Sequence, residues 1–196
     1  MEALENRGVS TNIASFLGAT TARVIEVGFE NRPATEQEME RMKQMVQESM
    51  EQGAMGIGSS LIYAPADYAP TQELVELCRV ASKNGGMYIS HMRNEDNLLM
   101  EALEELITIA KEAEIPAEIY HLKASREANW NMLDTLIKRV EQVRAEGLEI
   151  TADIYTYNAS STGLTGVIPT WVQEGGHRAW INRMKDPSVR PRLLED

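Results

Sequence analysis

Short apolar runs, each opened by glycine or an Ile-Pro pair, return along this chain with a fixed period. Gly53-Ala-Met-Gly-Ile-Gly, Gly85-Gly-Met-Tyr-Ile-Ser-His91, Ile115-Pro-Ala-Glu-Ile-Tyr-His121 and Gly147-Leu-Glu-Ile-Thr-Ala-Asp153 begin 32, 30 and 32 residues apart. The stretches between them carry apolar residues at helical spacing. Thr35-Glu-Gln-Glu38 reads as a capping box that opens a helix towards Gly53. Thr71 opens a second helix, with Leu74, Leu77, Cys78 and Ala81 on one face. Leu99, Leu103, Leu106 and Ala110 line a third, between Asn97 and Ala113. Leu133, Leu136, Ile137 and Val140 line a fourth, between Asn131 and Ala145. With an earlier run from Thr11 to Leu17, the pattern predicts five strands, at about 11–17, 54–58, 87–91, 117–121 and 149–154. Strand and helix alternating at this spacing form the βα unit of a parallel sheet, with its helices on the outer side.

Two architectures use that unit, an open doubly wound sheet and an eight-stranded barrel of about 250 residues. At 196 residues the chain has room for one large domain. Either the sheet is open or the chain is a piece of a barrel. After Ser160 the period is lost, and Gly163, Gly166, Pro169, Gly175, Gly176 and Pro187 divide the chain into loops and short helices. Met1 to Arg7 resembles a last helical turn closed by Gly8.

The charge balance narrows the function. The chain has 30 acidic and 19 basic residues, a net charge of −11. Nucleic acid is not an expected partner, because Lys and Arg must neutralise its phosphates. No apolar run approaches membrane-spanning length, so no membrane is expected either. One cysteine, Cys78, excludes an intrachain disulfide and fits the cytoplasm. The N-terminal residues lack a signal-peptide pattern, and export of a longer protein stays open. Cys78 lies on an apolar helix face and reads as packing, as do Met39, Met42, Met45 and Met50.

In either architecture chemistry gathers at the C-terminal ends of the strands. Ser59, Ser60 and Tyr63 follow one strand, and His91 and Arg93 the next. His121 and Lys123 follow the third, and Asp153, Tyr155 and Tyr157 the last. A single strand-end histidine is most simply a hydrogen-bonded core residue. Two at matching points of the repeat can converge on one ion, because parallel neighbours lie about 4.7–4.9 Å apart and Zn–N bonds are about 2.0–2.1 Å. Lys123, two residues beyond His121, is expected on the same face by strand alternation, where an ammonium could meet an anionic group. His177, in Glu-Gly-Gly-His, reads as a loop histidine outside any metal site.

Four motifs in order carry a resemblance: Gly53-Ala-Met-Gly-Ile-Gly-Ser-Ser-Leu-Ile-Tyr-Ala-Pro65, Tyr88-Ile-Ser-His-Met-Arg93, Ile119-Tyr-His-Leu-Lys-Ala124 and Asp153-Ile-Tyr-Thr-Tyr-Asn-Ala-Ser-Ser-Thr-Gly163. Over about residues 12–186 the chain resembles the D-aminoacylase, or N-acyl-D-amino-acid deacylase, branch of the metal-dependent amidohydrolases. The resemblance implies a (β/α)8 barrel of the TIM type beside a small β-domain. It also implies zinc-dependent hydrolysis of the linear amide of small-molecule N-acyl-D-amino acids, giving a carboxylate and a D-amino acid. It assigns His91 and His121 to the metal, and Lys123, Tyr155, Ser161 and Tyr63 to the substrate and its carboxylate.

The strand around Gly53–Ser59 has no lysine, which fits the branch that uses an earlier cysteine instead of a carboxylated lysine. By the resemblance, 1–196 is a single partial barrel domain holding the third to seventh strands. The first-strand His-x-His, the second-strand cysteine and the eighth-strand catalytic aspartate lie outside it. No catalytic residue is then expected within this chain, and Asp153 is not the base. One or two zinc ions are expected in an intact protein, and weak or no binding here. Self-association through exposed barrel edges is expected. A cyclic-amide amidohydrolase and a non-catalytic barrel fragment are the alternatives.

Overall fold

The computed structural model describes residues 2–195. The thirty-residue period is realised as five parallel strands in chain order: β1 (Leu17–Gly18), β2 (Gly56–Ser60), β3 (Met87–His91), β4 (Ala117–Ile119) and β5 (Ile150–Ala152). After a first short helix, α1 (Glu2–Arg7), two helices, α2 (Ala19–Glu26) and α3 (Glu36–Glu51), join β1 to β2, and α4 (Thr71–Lys83), α5 (Leu99–Glu112) and α6 (Leu133–Ala145) alternate with the later strands. This is a partial barrel of the βα type. Three short helices follow β5: α7 (Thr170–Gln173), α8 (Gly176–Lys185) and α9 (Arg190–Glu195).

The helices form where the spacing places them. Thr35 caps α3 by accepting the Glu38 backbone N–H at 3.3 Å, while the Glu38 carboxylate accepts the Thr35 N–H at 2.7 Å. Asn94 delays α5 to Leu99 by accepting the N–H groups of Asp96 and Leu98. Leu74, Leu77, Cys78 and Ala81 of α4 are buried, as are Leu99, Leu103, Leu106 and Ala110 of α5. They pack against Ile57, Tyr88, Ile119 and Ile150, which the pleat turns towards the helices. Met42 is fully buried, and Met39, Met45 and Met50 pack against the same core. On α6 only part of the expected face is covered. Leu136 is buried, whereas Ile137 is 42% exposed beside an open groove bounded by β5.

Strand limits differ from expectation at the edges. The first strand is two residues at 17–18 rather than 11–17, and the last is 150–152 rather than 149–154. Both have a neighbour on one side only, so fewer ladder bonds hold them extended. The second strand slides to 56–60, and Gly56 explains the register. Its φ is +150°, and a Cβ there would lie 1.9 Å from the Met87 carbonyl oxygen, so only glycine lets β2 approach β3. The fourth strand ends at Ile119 rather than at 121.

One buried ion pair lies within the helical layer. Arg23 of α2 donates to both carboxylate oxygens of Glu73 on α4, at 2.9 and 2.7 Å. It also donates to the carbonyls of Glu30 and Arg32. Beyond β5, Gly175 donates to the Phe29 carbonyl and the Tyr68 hydroxyl donates to the Thr170 carbonyl, tying α7 and α8 back to the barrel. No helix among the described residues is long and apolar enough to cross a membrane.

Candidate metal centre and cleft

Pleat alternation divides the strand-end residues between two faces. Ser59 and Ser90 turn towards the helices with Tyr88, and the three hydroxyls bond one another, Ser59 Oγ lying 2.7 Å from Tyr88 Oη and 3.0 Å from Ser90 Oγ. Ser59 is therefore core, although it sits at a strand end. Burial pushes the Tyr88 phenol well above its ordinary range. His91, opposite Ser60 in the register, turns to the inner face.

Past His91 the chain folds back on itself. Arg93 takes no part in the cleft. Its guanidinium grips Glu105 of α5 and the carbonyls of Asp67 and Ala69, locking the exit of β3. Glu95 returns to the inner face and is only 7% exposed. Its carbonyl accepts the Ser125 N–H at 2.7 Å, and its side chain meets the basic residues of the neighbouring loop.

His121 reaches the same point by an irregular path. Because β4 ends at Ile119, strand alternation does not carry His121 or Lys123. His121 adopts φ +44°, a left-handed conformation uncommon for a residue with a side chain. Asp153, just beyond β5, holds it there. The Asp153 carboxylate accepts the His121 N–H, its carbonyl accepts the Leu122 N–H at 2.9 Å, and its own N–H donates to Ile119. Lys123 thus faces His121 across a turn, which corrects the expectation from strand alternation.

The resulting cluster is tight. The His91 and His121 rings stand perpendicular with centroids 4.4 Å apart. Glu95 Oε1 lies 2.7 Å from Lys123 Nζ, 3.1 Å from His121 Nδ1 and 3.5 Å from His91 Nε2. Lys123 Nζ also lies 2.6 Å from His121 Nδ1 and 5.5 Å from the centre of the Tyr155 ring. The His91 Nε2 atom is buried with no hydrogen-bond partner, Glu95 being too distant for a sound bond.

Burial, with Lys123 and His91 facing it, holds His121 below the ordinary imidazole value. The ring is neutral at neutral pH and keeps a lone pair for a ligand. Burial alone would raise the Glu95 carboxyl, but the facing His91 and Lys123 outweigh it and hold it below its usual value.

Two imidazoles and a carboxylate with ligand atoms all within 4.8 Å of one another match the donor set of a zinc site. The orphaned His91 nitrogen is what a missing ligand bond would leave, so these residues fit a metal ion. Around them opens a cleft of about 930 Å³. All six residues singled out in the sequence line it: His91, His121, Lys123, Tyr155, Ser161 and Tyr63. The Tyr63 ring meets His91 edge-on at 5.5 Å, and its hydroxyl lies 2.8 Å from Thr162 Oγ1, joining the loop after β2 to the segment after β5. His177 lies apart, exposed in α8 and edge-on to Trp180. Cys78 is buried, and its thiol is pushed up accordingly. Sequence reasoning missed Glu95. Nothing in Arg93-Asn94-Glu95 signals that an acid returns to the pocket, because only the fold of the loop decides it.

Fold and cluster together define an α/β chain of the parallel βα-barrel type, built around a candidate metal site. Comparison with known proteins places it further. The D-aminoacylase of Alcaligenes xylosoxydans xylosoxydans is 34% identical over 164 residues, 84% of this chain and 34% of that protein. The N-acyl-D-glutamate deacylase of the same organism is 29% identical over 160 residues, 82% of this chain and 33% of that protein. Among solved structures, an N-acyl-D-glutamate deacylase from Bordetella bronchiseptica, complexed with zinc and a phosphonate mimic of the tetrahedral intermediate, superposes with a TM-score of 0.77. It is 29% identical and covers 80% of this chain and 33% of that one. A D-aminoacylase described as defining a novel subset of amidohydrolases superposes at 0.76 with 31% identity, again over 80% and 33%. No family model matches. By sequence and fold, the chain is similar to the D-aminoacylase and N-acyl-D-amino-acid deacylase branch of the amidohydrolases. It spans about a third of the length of the relatives it matches.

Proposed function

We propose that this chain carries part of the active site of a zinc-dependent hydrolase. The enzyme would cleave the linear amide of N-acyl-D-amino acids to a carboxylate and a D-amino acid. The observation that supports this reading best is the convergence of His91, His121 and Glu95 on one point, in a cleft that also holds Lys123, Tyr155, Ser161 and Tyr63. His91 Nε2 and His121 Nδ1 would hold the ion, with a Glu95 oxygen beside them. Zinc bound there would supply a water of lowered pKa and a Lewis acid for the scissile carbonyl.

This chain's residues bind and orient the substrate. Lys123 supplies positive charge for the α-carboxylate. Tyr63, Tyr155 and Ser161 supply hydroxyls for the same group. Asp153 is committed to the His121 backbone and is not free to move a proton. Proton transfer is therefore assigned to no residue described here. We further propose that 1–196 is one partial barrel domain matching the third to seventh strands of the family fold. Its apolar groove between α6 and β5 would favour self-association, and its compartment would be the cytoplasm.

The test is zinc content and hydrolysis of paired N-acetyl-D- and N-acetyl-L-amino acids, measured beside the oligomeric state of the purified chain. Zinc uptake that fails in His91→Ala and His121→Ala supports the reading. With an incomplete site, turnover is expected far below a typical enzyme rate of about 10 per second. Absence of zinc uptake by the unsubstituted chain would overturn the metal assignment.

A further inference from the structure

Lys123 is placed oddly for a residue whose proposed task is to bind substrate. Its ammonium is turned onto the histidine and carboxylate cluster in the wall of the cleft. It lies 2.7 Å from Glu95 Oε1, 2.6 Å from His121 Nδ1 and 3.0 Å from the His121 carbonyl oxygen. Glu95 and His121 both belong to the donor set that converges with His91, and the two of their atoms that the ammonium meets, Glu95 Oε1 and His121 Nδ1, lie 3.1 Å apart. The side chain is 22% exposed, so it reaches this position from the cleft wall rather than from the core.

We infer that Lys123 is a tethered cation that fills the metal position and is displaced into the cleft when a divalent ion binds. An ammonium and a metal ion cannot share the His121 Nδ1 lone pair, since each needs it as donor or ligand. Nor can a dication and an ammonium both sit against one carboxylate oxygen without mutual repulsion. Glu95 and His121 therefore hold either Lys123 or the ion. Once released, Lys123 lies beside the Tyr155 ring, 5.5 Å away already, where a cation is favoured and where the cleft is open.

The inference deepens the proposed function and rests on its metal site. It makes Lys123 a link between two ligands: the ion frees the ammonium, and the ammonium then attracts the substrate carboxylate. By reciprocity, an anionic ligand that takes up the ammonium tightens metal binding.

Two measurements on the full chain test this without turnover. The first is the affinity for zinc, and for cobalt read by its visible spectrum, in the wild type, in Lys123→Met and in a remote control, Lys43→Met. Lys123→Met is expected to bind at least about tenfold more tightly, with the control unchanged. Equal or weaker binding by Lys123→Met overturns the inference. The second needs no variant. Acetylation of Lys123 by acetic anhydride, followed by mass spectrometry against Lys83 and Lys138, is expected to rise several-fold when zinc is added. An unchanged or lower rate overturns the inference. If neither wild type nor Lys123→Met takes up either metal, the proposed metal site falls and this inference with it. If both bind equally, only the inference falls.

Discussion

The molecule buries charge in two places and treats it in opposite ways. Between α2 and α4, Arg23 and Glu73 are 1% and 4% exposed. Their two groups meet through paired hydrogen bonds, with carbonyls taking up the rest of the guanidinium except Nε. The recess beside them holds roughly 10 Å³. At the strand ends, Glu95 faces three basic side chains at once, one imidazole nitrogen has no partner, and the space beside it is about 930 Å³. A structural ion pair is closed by fixed partners. A functional cluster keeps competing donors around one acceptor and opens onto solvent. The difference predicts where a substitution costs stability and where it costs binding.

The largest effect on stability is expected from Glu73→Ala. It leaves the Arg23 guanidinium buried without its counter-charge, a loss of about 3–5 kcal/mol. Urea unfolding checks it, and zinc uptake by the folded fraction should not change. The double substitution Arg23→Met with Glu73→Leu should recover most of that loss, since well-packed apolar pairs often match buried ion pairs. A double variant as unstable as Glu73→Ala would show that the pair does more than fill the helix interface.

Asp153→Ala should rank second. It removes a charged acceptor from the His121 N–H, worth roughly 1.5–3 kcal/mol, and releases a backbone held at φ +44°. Unlike Glu73→Ala it should also weaken zinc binding, because the His121 ring would lose its fixed direction. Equal zinc affinity in Asp153→Ala and wild type would mean that the turn holds itself.

His91→Leu should separate the two clusters most cleanly. It removes a buried, unpaired imidazole nitrogen, so stability should change by less than about 1 kcal/mol and can rise. Zinc uptake should be lost. A large destabilisation would place His91 in the structural class with Arg23.

The smallest effect belongs to the surface. Glu76 of α4 meets Lys43 of α3 at 3.0 Å, with both side chains partly exposed. The hydrogen bond from Lys43 holds the Glu76 carboxyl below its ordinary value of 4.5. A depressed carboxylate stabilises the fold above its unfolded pKa and loses that contribution as pH falls through the folded value. Glu76→Gln should therefore cost under about 1 kcal/mol at neutral pH. The gap to wild type should close as pH drops below about 4.5. A gap independent of pH would mean that packing, not charge, is what the substitution removes.

Much of this architecture is local and so was legible in the residues. The repeat from Gly53 to Asp153 predicts parallel strands with helices between them. Periodicity of three and four on α4 and α5 names the buried faces. The same period places His91 at a strand end and His121 near the next one, but the register that pairs Ser90 with Ile119 leaves His121 past the end of β4, and the turn at φ +44° brings its ring to His91. Strand length was less legible. β1 and β5 each have one partner, and the extent of an edge strand depends on a neighbour the sequence does not mark.

What the sequence determined by itself is whatever repeats within a turn of helix or a pleat of strand: the βα period, the core faces, the return of a histidine near two successive strand ends. Only the tertiary structure decided that Arg23 finds Glu73 fifty residues away, that Glu95 folds back beneath both histidines, and that Asp153 holds His121 in a left-handed turn so that Lys123 faces its ring. These contacts join segments far apart in the chain. Their geometry is set by how loops close over a packed sheet, and no local pattern of residue types encodes that closure.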